Sequence, residues 1–218
     1  MRSRRRSRSN YIPAVAICGL SLVVMAAMLV PAALAQAPPS LSIGAAAPLG
    51  DQKVATTAGD ETSINEARRE NGLMVVFTCN TCPWVDKWEG RYHTIADAAT
   101  DAGIGVLLLN SNEALRDGEE SMDAMRERAE GMNYTFPYAV DPGSVLADAF
   151  GASRTPEIYL FDRGMKLIYH GAIDDNARDV SAVESAFLLD AIAAYKAGRP
   201  VSVVETSSIG CTIKRKRS

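Results

Sequence analysis

Cys79-Asn80-Thr81-Cys82 is the pattern in this chain best suited to chemistry. Two thiols separated by two residues are close enough to close a disulfide ring, and the thiolate form is the nucleophile. The apolar run Leu73-Met74-Val75-Val76-Phe77-Thr78 leads into the pair, and a helical stretch beginning near Cys82-Pro83 leads out. A helix N-terminus stabilises a thiolate through its unpaired N–H groups and the positive end of its dipole. Cys79 is therefore expected to become a nucleophile near neutral pH and Cys82 to close the ring on it. Two other readings stand beside the redox one, a zinc half-site and a static disulfide. Zinc takes four ligands, and Cys211, His93 and His170 are the residues available to complete a set. His93 falls beside Tyr92 on the polar side of the expected helix, as a solvated residue. His170 ends an expected strand.

The elements that must position the pair follow from apolar periodicity. Residues 41–65 alternate weakly around Gly44, Gly50, Gly59 and Asp60, the pattern of an irregular N-terminal hairpin. After the strand at 73–78, Val85, Trp88, Tyr92, Ile95 and Ala99 recur at helical spacing up to Gly103. The run 104–109 is apolar throughout, as in a strand buried on both faces. Met122, Met125, Ala129 and Met132 form a second helical stripe, read as core packing rather than as a metal or peptide site. A strand at 136–140, a short helix at 145–150, a hairpin of 157–161 with 166–170, and a helix at 181–196 complete the order β-α-β-α-β-α-β-β-α. Crossover helices imply parallel pairing of the early strands, and the closing hairpin is antiparallel.

Residues 1–37 read as a signal peptide. Arg2, Arg4, Arg5, Arg6 and Arg8 precede an almost wholly apolar stretch from 12 to 30, and Ala33-Leu34-Ala35 and Ala35-Gln36-Ala37 offer small-x-small cleavage sites. The alternative is an uncleaved anchor, which would be the chain's one membrane contact; both readings place the domain outside the cytoplasm, in the periplasm. Formal charge falls from −3 for the whole chain to −8 once the five leader arginines are taken away. An acidic domain is a poor partner for nucleic acid or anionic lipid. Of the four cysteines, Cys18 lies in the leader, so Cys79, Cys82 and Cys211 remain. Three thiols in an oxidising compartment cannot all pair within one chain, which suits an exchanging site better than a staple. The division is then a leader (1–37), a domain (38–200) and a basic tail (201–218) that carries Cys211.

The ordered set Cys79-Asn80-Thr81-Cys82-Pro83, Asp141-Pro142, Thr155-Pro156-Glu157-Ile158-Tyr159-Leu160-Phe161-Asp162, Tyr169-His170-Gly171 and Gly210-Cys211-Thr212-Ile213-Lys214 resembles the redoxin (AhpC/TSA, peroxiredoxin-like) branch of the thioredoxin superfamily. The resemblance covers about residues 41–214. It implies an α/β thioredoxin-like fold, a central mixed β-sheet flanked by helices, with the N-terminal hairpin as an extension. It also implies that Cys79 attacks from the exposed edge of the helix start, while Cys82, more buried, resolves the mixed disulfide. Pro83 costs little in the first helical turn. Pro156 is expected to be cis beside the cysteines, exposing the backbone of Thr155 to an extended substrate chain. Two departures stand out. Val76 occupies the place, three before Cys79, of the hydroxyl residue that typical peroxiredoxins use, although Thr78 is adjacent. No acid lies in 73–78, so Glu157 is the candidate to take the Cys82 proton, the alternative being a solvated strand-end carboxylate. Cys211 is either a third redox thiol, favoured by Lys214, Arg215, Lys216 and Arg217, or an unpaired cysteine in a docked tail.

The expected function is an exported thiol–disulfide oxidoreductase that needs no cofactor or metal. Its partners are a protein disulfide or peroxide substrate and a redox protein that resets the pair, and its peroxidase activity is weak at most. The alternative is a copper-binding or copper-delivery protein on the same fold, with the two thiols joined by His170.

Overall fold

The computed structural model describes residues 39–216, so the expected signal peptide lies outside the described residues. β1 (Val54–Ala55) and β2 (Glu61–Thr62) form the small antiparallel hairpin expected near the N-terminus, followed by the one-turn helix α1 (Ile64–Ala67), capped by the Ser63 hydroxyl. Then come β3 (Leu73–Thr78), α2 (Pro83–Trp88), α3 (Tyr92–Asp101), β4 (Gly105–Asn110), α4 (Met122–Gly131), β5 (Tyr138–Val140) and α5 (Val145–Phe150). β6 (Arg154–Thr155), β7 (Glu157–Phe161), β8 (Leu167–Gly171), α6 (Phe187–Lys196) and β9 (Cys211–Thr212) complete the chain.

The main sheet runs β5-β4-β3-β7-β8, with β3, β4 and β5 parallel and β7 and β8 antiparallel. This is the mixed sheet that the resemblance implied. All six residues of β3 are buried, as a continuous apolar run at the centre of a two-sided sheet requires. Its alternate side chains feed two cores. Met74 and Val76 pack with Trp88, Tyr92 and Ile95 beneath α3 and α6, while Leu73, Val75 and Phe77 pack with Phe150, Tyr159 and Phe161. The strand thus ends rigidly clamped, directly before Cys79.

Three local readings change. The single helix expected from 85 to 99 is interrupted by a 3₁₀ turn, Glu89–Arg91. Glu89 and Arg91 are buried there by tertiary ion pairs: Arg128 holds Glu89, and Arg91 reaches Asp174 at 3.1 Å and the carbonyl of Asn176 at 2.7 Å. The last helix begins at Phe187, not 181: a separate 3₁₀ turn, Val180–Ala182, comes first, and Asp175 accepts the N–H groups of Glu184 and Ser185 in the break between the two. His93 is half-buried rather than solvated, with Nε2 2.8 Å from the Met132 carbonyl and its ring beside Phe136.

Residues 203–206 cover the outer side of β8, where His170 donates its N–H to Val204 O and accepts from Thr206 N, both at 3.0 Å. The segment then crosses to β6, with which β9 pairs antiparallel. Gly72, at the entry to β3, has φ +125°, and a Cβ there would lie 2.0 Å from the Phe161 carbonyl oxygen. Gly72→Ala should therefore cost about 2–3 kcal/mol, read as a lower urea midpoint with an unchanged slope.

Candidate active site

The buried end of β3 delivers Cys79, and Cys82 occupies the N-cap of α2 with Pro83 in its first turn. Both thiols converge on Thr155. Cys79 Sγ is 3.2 Å from Thr155 Oγ1, and Cys82 Sγ is 3.2 Å from the Thr155 carbonyl oxygen. The Thr155–Pro156 bond is cis, as the resemblance implied. Cys79 is not at an exposed edge, however. It is 1% accessible and Cys82 2%, because β6 and the C-terminal segment close over both.

The backbone of Thr155, expected to be free for an extended substrate, is paired instead with the chain's own Cys211 across β6 and β9. Cys211 packs on the two thiols and on Trp84, half-buried, within hydrogen-bonding reach of Cys82. Cys79, Cys82 and Cys211 are free thiols.

Proton affinity follows from this crowding. Cys79 is pushed up by donating its S–H to Cys82 and by burial, with the charge of Glu120 adding to both. Cys82 is held down to about 4 by that same donation, helped against burial by Cys211, the Val85 N–H and the Thr155 hydroxyl. One proton therefore leaves the pair easily, and the second is retained. Burial and the contact with Cys82 raise Cys211, outweighing Lys214, so the basic tail does not favour its thiolate as expected.

Glu157 does not face the cysteines. It is 3% accessible, which also overturns the solvated alternative, and its oxygens accept from Ser153 N and Arg154 N at 2.8 Å, from Tyr159 OH at 3.2 Å and from His170 Nε2 at 2.7 Å. Burial opposes its ionisation, but the His170 ring and the two amides outweigh that and hold its carboxyl below the usual range. Its place in the chain was suggestive, but its position on β7 turns the side chain to the Phe77–Tyr159 face of the sheet. Thr78 likewise points away from Cys79, its hydroxyl 3.0 Å from Tyr92 OH. The hydroxyl that does meet Cys79 belongs to Thr155.

The acid beside the motif is Glu120, which the sequence reading passed over in a loop with no periodicity. Fully buried, it accepts from Asn80 N at 2.8 Å, Thr81 N at 3.2 Å, Thr81 Oγ1 at 2.7 Å, Asn110 Nδ2 at 2.6 Å and Asn112 Nδ2 at 3.0 Å. Arg128 Nη1 donates to Asn80 O at 2.7 Å, and Tyr138 OH to Asn80 Oδ1 at 2.9 Å. The turn between the cysteines is thus held at its amides, its carbonyl and its side chains. Glu120 stands between Glu119 and Ser121 with no sequence signal for this, since the cysteine turn it holds lies about 40 positions away.

Zinc and copper readings both needed His170 or His93 near the thiols. His170 is engaged by Glu157 and His93 by Met132, and among the described residues no group of three His, Cys, Asp or Glu is arranged to hold a metal ion.

Residues 43–170, more than half of the chain, match the AhpC/TSA family. The chain belongs to that family. Its thioredoxin-like architecture is shared with two solved structures at 30% identity and TM-score 0.74. One is a hypothetical protein of Sinorhizobium meliloti 1021, covering 83% of this chain and 98% of that one. The other is an uncharacterized conserved protein of Geobacillus kaustophilus, covering 81% and 94%. A secreted disulfide oxidoreductase of Mycobacterium tuberculosis matches in fold, at 12% identity and TM-score 0.50, over 66% of this AhpC/TSA chain and 95% of its own. No curated protein matches.

Thiolate absorbance of the reduced protein should show one equivalent at neutral pH, disappearing as pH falls toward about 4. No second equivalent should appear near pH 8.5, where a free cysteine ionises. Glu157→Gln should leave this titration unchanged yet cost about 1–3 kcal/mol in urea unfolding, since its amide cannot accept from every present donor. Because folding depresses the Glu157 pKa, its stabilisation is present above the unfolded carboxylate range and lost as pH falls through the folded value; the Gln variant should show a flatter acid limb.

Proposed function

We propose that this AhpC/TSA protein is an exported thiol–disulfide oxidoreductase whose redox unit is the Cys79/Cys82 dithiol. The observation that carries the reading is the convergence of both sulfurs on Thr155 at 3.2 Å, beside the cis Thr155–Pro156 bond. Cys79 attacks one sulfur of a substrate disulfide, its proton passing along the shared hydrogen bond to Cys82. The departing substrate thiolate then takes that proton, and the Cys82 thiolate attacks Cys79, closing the internal disulfide and releasing the second substrate sulfur as a thiolate that solvent protonates. The partner sulfur does here what a buried carboxylate near the motif would do, and Glu157 has no part in it. Thr155 Oγ1 lies within hydrogen-bonding distance of the Cys79 sulfur, which supports slow peroxide reduction despite Val76. Export rests on the basic and apolar pattern of residues 1–37, and a second redox protein supplies or removes the electrons.

Insulin reduction and peroxide consumption by the purified protein test this directly. Cys79→Ser and Cys82→Ser should each fall to the background of the reductant alone in both assays. In Cys82→Ser a mixed disulfide should accumulate on Cys79, visible by mass spectrometry. Full activity in Cys79→Ser would sink the mechanism.

A further inference from the structure

The contact between the C-terminal segment and the dithiol is built on both sides of Cys211. On one side, Gly210 lies so close to β6 that a Cβ would come 2.2 Å from the Thr155 carbonyl oxygen, and Arg154 Nη1 donates to Gly210 O at 3.2 Å. On the other, Ile213 is buried in the core, with its N–H on Ser153 O at 3.0 Å. Lys214 donates to Asn112 Oδ1 and accepts from Ala114 N, each at 2.8 Å, and Arg215 binds Asp148 at 2.6 Å and Ala152 O at 2.7 Å. Cys211 is held in register with Thr155, the residue whose hydroxyl and carbonyl meet the other two sulfurs. Its own sulfur packs against Cys82 and Trp84.

We infer that Cys211 is a third redox thiol of the site, which takes over the disulfide by attacking the Cys82 sulfur of the oxidised pair. The inference rests on the dithiol chemistry proposed above and extends it by one exchange. The Cys211 sulfur bonds to Cys82, the Cys79–Cys82 bond breaks, and Cys79 leaves as a thiolate that takes up the proton given up by Cys211. No net oxidation occurs. The disulfide moves from the enclosed pair to Cys82–Cys211, whose outer sulfur is the more exposed one, and Cys79 returns to its attacking form. The strand that delivers Cys211 also fills the pairing edge at Thr155, so the in-chain cysteine stands where the cysteine of an extended substrate would stand.

The test is disulfide mapping of the full chain after equilibration with oxidised glutathione. In Cys79→Ser, glutathione disulfide supplies the two-electron oxidation, and a linked Cys82–Cys211 peptide should exceed the Cys82–glutathione adduct by about ten-fold, because the competing thiol is intramolecular. A persistent adduct with Cys211 still alkylatable would overturn the inference. Gly210→Val, which forces β9 away from Thr155, should lower the Cys82–Cys211 yield in the otherwise unaltered chain and spare Cys79–Cys82; an unchanged yield would also count against it. Cys211→Ser separates the two claims. If it forms Cys79–Cys82 while Cys79→Ser gives only adduct, the relay alone falls; if it forms no Cys79–Cys82, the dithiol reading falls with it.

Discussion

Thr155 is the point on which the site depends. Its hydroxyl meets Cys79, its carbonyl meets Cys82, and its backbone pairs with Cys211. One fully buried residue thereby fixes three sulfurs that come from 79–82 and 211, across more than half the chain. A two-residue strand cannot hold such a position by its own ladder. It is held from behind: the Glu157 carboxylate accepts the N–H groups of Ser153 and Arg154, and His170 and Tyr159 complete its shell. Glu157 holds the approach to β6 and makes no contact with the sulfurs.

Glu120 does the matching work on the opposite side of the thiols. Two buried carboxylates, each surrounded by donors, clamp the two irregular segments that flank the sulfurs, the turn after β3 and the bend before β7. A buried charge is tolerable when its hydrogen bonds are complete, and removing one partner leaves the others unpaired at a cost. Their rigidity keeps the sulfurs in contact while the sheet supplies little more than anchorage. Crowding then sets the thiol chemistry: shared S–H donation splits the proton affinities of Cys79 and Cys82, which no surrounding base has to do.

Much of the architecture was legible in the residues themselves. β3 and β4 announced themselves as unbroken apolar runs, and the hairpin of β7 and β8 by its Asp-Arg-Gly turn, because burial of a strand leaves a local pattern. The kink at Glu89–Arg91, the late start of α6 and the burial of His93 were not legible. The kink and the burial of His93 depend on a partner from a distant element, Arg128 or Met132, and the late helix start on Asp175 in the preceding loop; polar residues in sequence look solvated until that partner is known. The same holds for Glu120, which has no periodicity or motif to mark it.

From the sequence alone came the thiol pair, the strand that ends at it, the Thr-Pro that meets it and the family these define. Those are short-range signals, set by spacing and by the conformational preferences of Cys, Pro and apolar runs. The tertiary structure alone decided that both thiols are enclosed, that Glu157 faces away while Glu120 faces in, and that the tail lays Cys211 on Cys82. Such outcomes turn on which face of a sheet a side chain takes and which remote backbone group completes its hydrogen bonds, and neither is encoded in any local stretch of chain.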